Sequence, residues 1–90
     1  MVKEKPKTAR GRRSQIDTAF RRWREAKQLT LREMAAIVNE VEPTLSTDFG
    51  MVQHVEENGT YDVRWIRGIS LALGVTESQV EEETRRLRSL

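Results

Sequence analysis

Few side chains in this sequence can carry covalent or acid–base chemistry. His54 is the only histidine and cysteine is absent, which excludes thiol nucleophiles, disulfides and thiolate metal sites and leaves a zinc site almost without ligands. Glu56 and Glu57 are adjacent; neighbours on a helix point in different directions, so they do not make a paired acid and base. There is no glycine-rich phosphate loop. Neither catalysis nor a cofactor is expected. Asn58-Gly59-Thr60 matches the glycosylation acceptor pattern, but Asn-Gly reads better as a turn. The chemistry that the composition does favour is phosphate binding. Residues 1–13 carry Lys3, Lys5, Lys7, Arg10, Arg12 and Arg13 against Glu4 alone, while the remaining residues hold ten basic and thirteen acidic side chains. Each Lys or Arg that displaces counterions from a nucleic-acid backbone adds affinity independent of sequence. The other reading of the segment is a solvated tail that aids solubility.

The elements that would position such groups follow from length and pattern. Ninety residues, 37% of them hydrophobic and 33% charged, suit one small globular domain. No apolar run approaches the roughly 20 residues needed to cross a bilayer, and no apolar stretch follows the N-terminal charges as a secretory signal requires. A cytoplasmic protein is expected. Residues 1–13, with Pro6 and Gly11 and almost no large apolar side chain, are expected to be a flexible basic arm, and 14–90 the folded domain.

Helical periodicity begins after Ser14, a suitable N-cap, with Ile16, Phe20 and Trp23 on one stripe and an end near Gln28. Thr30 and Glu33 form a capping box for a second helix, whose buried face is Leu31, Met34, Ala35, Ile37 and Val38, with Val41 extending it. Pro43 marks a boundary. Thr44, Ser46 and Thr47 are alternative caps for a third helix, with Phe49, Val52 and Val55, and Met51 beside them, as its buried side. Asn58-Gly59 is its stop. Asp62 caps a fourth helix carrying Trp65, Ile66, Ile69, Ala72 and Leu73, which ends at Gly74. Thr76 and Gln79 box the start of a fifth, with Val80, Leu87 and Leu90 as thin apolar content and Thr84 between them. The run Glu81–Arg88 reads as a solvated face with Glu81–Arg85 and Glu82–Arg86 pairs. No strand pattern and no internal repeat is visible. The expected fold class is all-α, five short helices around one core.

Several segments, in order, resemble the lambda-repressor-like (XRE-type) helix-turn-helix family. The stretch Phe20-Arg21-Arg22-Trp23-Arg24-Glu25-Ala26-Lys27-Gln28-Leu29-Thr30 looks like that family's first helix and its approach to the second. Leu31-Arg32-Glu33-Met34-Ala35 resembles the start of the second helix, and Val52-Gln53-His54-Val55-Glu56 the end of the recognition helix. Asn58-Gly59 stands where the family has a turn glycine. Leu71-Ala72-Leu73-Gly74-Val75-Thr76 is similar to the end of the fourth helix. The likeness covers roughly residues 16–80. It implies a double-stranded DNA-binding transcriptional regulator, most often a repressor, acting as a homodimer on a palindromic operator. Gln53, which can pair with adenine through two hydrogen bonds, and His54, Ser46 and Thr47, which can make single ones, would then read base edges. Arg10, Arg12, Arg13, Arg21, Arg22, Arg32, Thr60, Tyr61 and Arg64 would hold the phosphate backbone. Val80, Leu87 and Leu90 are either dimer contacts or part of the domain's own core.

The chain departs from that family in two respects. From Thr30 to Glu56 it is about seven residues longer than the usual spacing, the excess falling within roughly Asn39–Asp48, where a short turn is the norm. From Glu33 to Val63 there are seven carboxylates and no Lys or Arg. Positive charge must then come from the arm, from Arg21, Arg22 and Arg24, from Arg32, and from Arg64 or Arg67. Glu56 is expected to pair with Arg24 or Arg64. The competing reading is a protein-binding module, such as an antitoxin or a small adaptor, using an acidic central surface.

Overall fold

The computed structural model describes residues 17–90, so the basic arm with Arg10, Arg12 and Arg13, the Ser14 cap and Ile16 lie outside the described residues. Within them the chain forms five α-helices and no strand: α1 (Ala19–Ala26), α2 (Leu31–Val41), α3 (Phe49–Asn58), α4 (Val63–Leu73) and α5 (Glu77–Arg88), with a single 3₁₀ turn at Pro43–Leu45 between α2 and α3.

Each helix begins at a side chain that satisfies an orphaned backbone donor. Thr18 caps α1, its hydroxyl accepting from Arg21 N at 3.2 Å. The expected box of α2 is complete, Glu33 N donating to Thr30 Oγ1 at 3.1 Å and Thr30 N to Glu33 Oε1 at 2.8 Å. Asp62 caps α4 through Arg64 N at 2.9 Å, and Thr76 and Gln79 make the second box at the start of α5. Helix α1 stops at Ala26, slightly before the expected Gln28, which itself turns the chain with φ of 59°. Helix α4 ends at the left-handed Gly74.

The core takes Phe20 from α1, Met34, Ala35 and Val38 from α2, Val52 and Val55 from α3, and Trp65, Ile66, Ile69 and Leu73 from α4, while Leu31, Ile37 and Val41 of the expected α2 face are half-buried. Trp23 packs its ring against Phe20 edge to face, centroids 5.6 Å apart. Helix α5 meets the expectation of a solvated charged face only in part, with Glu82, Arg85, Arg86 and Arg88 exposed. Val80 is wholly buried in the monomer's core, so it leaves the set of candidate dimer contacts; Leu87 is half-buried against the same core and Leu90 is 91% exposed. Glu83 and Thr84 are buried as well. Arg86 takes Glu83 as its partner, at 2.7 Å, in place of the expected Glu82.

These polar residues of α5 brace the two helices beneath it. Glu83 accepts the backbone N–H of Ala19 at 2.8 Å, placing a carboxylate at the positive end of α1. Arg88 donates to the carbonyls of Asn58 and Gly59, both at 3.1 Å, placing a cation at the negative end of α3. Thr84 receives a hydrogen bond from Thr60 N at 3.0 Å and returns one to Thr60 O at 3.2 Å. That contact depends on Gly59, whose φ of 76° and ψ of −179° belong to a region that side chains with a Cβ avoid. A Cβ there would also lie 2.8 Å from the Cα of Thr84. Of the expected Asn58-Gly59 stop, only the glycine uses the special backbone; Asn58 remains helical and donates its side chain to His54 O at 2.9 Å.

Two outcomes are expected. Gly59→Ala destabilises the domain by about 3 kcal/mol, the combined cost of strained backbone and overlap, read as a lower urea midpoint at unchanged slope. The carboxyl of Glu83 is held below its ordinary value of 4.5, chiefly by the Arg86 guanidinium and also by the Ala19 N–H. Its stabilisation is therefore full above that value and drains away as pH falls through the lower folded-state value. Thermal melts from about pH 7 to about pH 3 should show Glu83→Gln less stable at neutrality, with the gap to the parent closing on acidification. A gap independent of pH would assign the role of Glu83 to shape instead of charge.

Candidate functional site

The surface to which the sequence points is built by α2, α3 and the segment between them. Helix α2 ends at Val41, and a seven-residue connector, 42–48, leads to α3. The connector makes one 3₁₀ turn and reverses at Ser46, whose φ of 46° is left-handed. Asn39 then closes it. Its side-chain amide accepts from Thr47 N at 2.8 Å and donates to Thr47 O at 2.9 Å, matching both polar groups of one residue as a paired strand would. None of the three expected caps starts α3. With the backbone of Thr47 held by Asn39, the next residue takes that position, and Asp48 accepts from Met51 N at 2.9 Å.

The structure divides the sequence-predicted site residues. Gln53 and His54 share one surface groove with Gly50 and Glu57. His54 is exposed, and Gln53 is half-buried with its amide donating to Glu57 Oε2 at 3.4 Å. Gln53 also lines a recess with Arg21, Arg24, Leu31 and the carboxylates Glu25, Glu56 and Glu57, and Arg32 is exposed at the first turn of α2. Ser46 is exposed in the connector. Thr47 is buried, its hydroxyl turned to the carbonyl of Asp48, and is withdrawn as a base reader. Thr60 is buried too, its hydroxyl accepting from Asp62 N at 3.1 Å, and is withdrawn as a phosphate contact. Tyr61 is exposed with the Arg88 guanidinium 5.1 Å from its ring centre. Arg21 is paired with Glu25 at 3.0 Å, Arg22 with Asp17 at 2.6 Å, and Arg64 with Asp62 at 2.9 Å.

Phe49 and Met51 are a second correction. Expected on the buried side of α3, they are 43% and 42% exposed. The inward face is instead Val52, Val55 and Glu56. Phe49 lies under the guanidinium of Arg32, 4.4 Å from its ring centre.

The acidic run is largely absorbed by the fold. Glu33, Asp48 and Asp62 are helix caps, where a negative charge meets the positive end of the helix. Glu42 lies 3.6 Å from Arg67. Glu56 is buried and takes both prongs of Arg24, Nε to Oε2 and Nη2 to Oε1 at 3.3 Å, while Arg24 Nη1 donates to Leu29 O at 2.8 Å. Of the two partners the sequence left open, Arg24 is the one used. Burial pushes the Glu56 carboxyl above its ordinary 4.5, and the Arg24 fork opposes that rise. Glu40 and Glu57 are what remains of the run outside caps and ion pairs. No group of three metal-ligating side chains occurs among the described residues, and no described helix is long and apolar enough to cross a membrane.

Comparison of the chain with known protein families, with curated proteins and with solved structures gives no match. The case for a function rests on the residues themselves.

Breaking a buried pair costs more than removing it, because the survivor is left charged without a partner. Arg24→Met is expected to destabilise by about 3–5 kcal/mol, and the double variant Arg24→Met, Glu56→Leu to recover most of that loss. Chemical denaturation of the four members of the cycle checks it, and equal losses in single and double variants would refute it.

Proposed function

We propose that this chain is a sequence-reading, double-stranded DNA-binding regulator of the helix-turn-helix kind, cytoplasmic and acting as a homodimeric repressor on a palindromic site. The observation that carries this reading is the outward face of α3. Gln53 and His54 sit there beside the side-chain-free Gly50, and Arg21 and Arg32 stand on neighbouring helices. An exposed imidazole, and beside it a half-buried amide that would exchange Glu57 for a base, are suited to the donor and acceptor pattern of base edges in a major groove. The acidic composition of the segment weighs less against DNA than a charge count suggests, since five of its seven carboxylates are caps or ion-pair partners. The same diversion weakens the alternative of an acidic protein-binding surface.

In this reading α3 enters the groove, Arg32 approaches a phosphate on its flank, and the basic arm adds sequence-independent affinity. Tyr61, and Arg21, Arg22 and Arg64 once released from their carboxylates, are further phosphate contacts. Leu90 and the exposed part of Leu87 are the dimer contacts left to α5. A single small domain makes few base contacts, so a two-fold pair gains specificity by doubling them. Nothing in the side-chain inventory suits an enzyme.

Selection of bound duplexes from a random DNA pool tests this, with salt varied between about 50 and 200 mM. The expected result is a palindromic motif with affinity falling steeply as salt rises. Gln53→Ala should lose discrimination at particular base pairs by about 5- to 100-fold, the worth of a bidentate contact, while deleting residues 1–13 weakens binding on every sequence. No retained motif together with a flat salt response would overturn the reading and favour a protein partner.

A further inference from the structure

Two of the larger apolar side chains of this chain stand at the exposed start of the helix assigned to DNA, where burial would be the norm. Phe49 and Met51 flank Gly50 on its two sides, each with roughly two-fifths of its surface in solvent. Phe49 is oriented by Arg32, whose guanidinium covers one face of the ring at 4.4 Å. Arg32 has no carboxylate partner among the described residues. Met51 continues the surface on the other side, bordering a shallow groove with His54, Val55 and Trp65. The nearest carboxylate on the helix, Asp48, is engaged with Met51 N. The result is an apolar point on either side of a bare backbone, with a cation held over one of them.

That pattern complements a surface that is anionic at its walls and apolar at isolated points. A DNA major groove has this character, and the apolar group it displays is the methyl on pyrimidine C5. We propose that Phe49 and Met51 read C5-methyl groups in the major groove, with Arg32 as the positioning residue that holds the Phe49 ring and faces a phosphate. Thymine is one source of that methyl and 5-methylcytosine the other. Gln53 lies one helical turn after Phe49, so an adenine read by its amide falls close to the pyrimidine read by the ring. The inference rests on the DNA reading above and adds the chemical group that gives it sequence preference.

The test uses the full chain and its selected duplex. In one arm each thymine is replaced singly by deoxyuridine, which removes only the methyl; in the other each cytosine is replaced by 5-methylcytosine. Affinity is measured at fixed salt by fluorescence anisotropy for the parent, Phe49→Ala and Met51→Ala. The parent should lose about fourfold at one or two thymines, the worth of one buried methyl, and the matching variant should be insensitive to the same replacement. A gain of similar size in the second arm, erased by the same variants, would assign the methyl to 5-methylcytosine. Because the base replacements are read on the parent protein, a variant that fails to fold leaves the test intact. If the motif persists but no replacement changes affinity as much as twofold, the methyl assignment is overturned and the DNA reading stands. If no duplex is selected at all, the DNA reading itself falls and carries this inference with it.

Discussion

A carboxylate buried between two helices must find a cation or give up its charge, and Glu56 meets that demand through Arg24. The guanidinium reaches α3 with two of its nitrogens and the carbonyl of Leu29 with a third. One side chain therefore ties α1, α3 and the turn before α2 together, and a forked hydrogen bond fixes direction as well as distance. Val52 and Val55 supply the apolar contact of α3 with the core. Apolar contact alone leaves a short helix free to rotate about its axis, and the fork removes that freedom. Which side chains α3 turns outward is thus set from beneath, by a residue on its opposite face.

The far end of α3 is set from α5. Its polar side chains work at a distance in sequence, with Glu83 at the start of α1 and Arg88 at the end of α3, each of the sign that the helix end favours. Thr84 occupies the space that Gly59 leaves open and pairs with both backbone groups of Thr60. A helix whose composition looks like a solvated surface therefore works as a brace, and its charges are structural before they are available to any partner.

What could be read from the residues divides along the range of the interaction. Both capping boxes, the Asp62 cap, the Gly74 stop and the apolar faces of α2 and α4 are decided within a few residues, so the sequence pattern exposes them. Glu83, Thr84 and Arg88 were not legible, because their partners lie 24 to 64 positions away. The start of α3 was misplaced for the same reason: Asn39, eight residues earlier, engages Thr47 and passes the capping role to Asp48. At the candidate site, Gln53 and His54 were recognisable as polar residues outside the apolar spacing. Thr47 and Thr60 were not recognisable as buried, since a threonine satisfied by distant backbone looks like any other. Phe49 looked like core because nothing local shows that the fold leaves the first turn of α3 uncovered.

The Asn39–Thr47 clasp has a consequence for how this connector can change. The two residues close a ring of chain whose ends are held by hydrogen bonds at 2.8 and 2.9 Å, and the turn at Pro43–Leu45 lies within the closed span, with Leu45 packed against the core. Lengthening a loop whose ends are already fixed costs little, since each doubling of length adds only about 0.6 kcal/mol of closure entropy. Because the clasp fixes both ends, residues could be gained or lost at the exposed turn, Pro43 and Thr44, with little displacement transmitted to α3. Length at this exposed turn is therefore close to a neutral variable, and the setting of α3 is carried by the clasp and not by the number of residues that lead up to it.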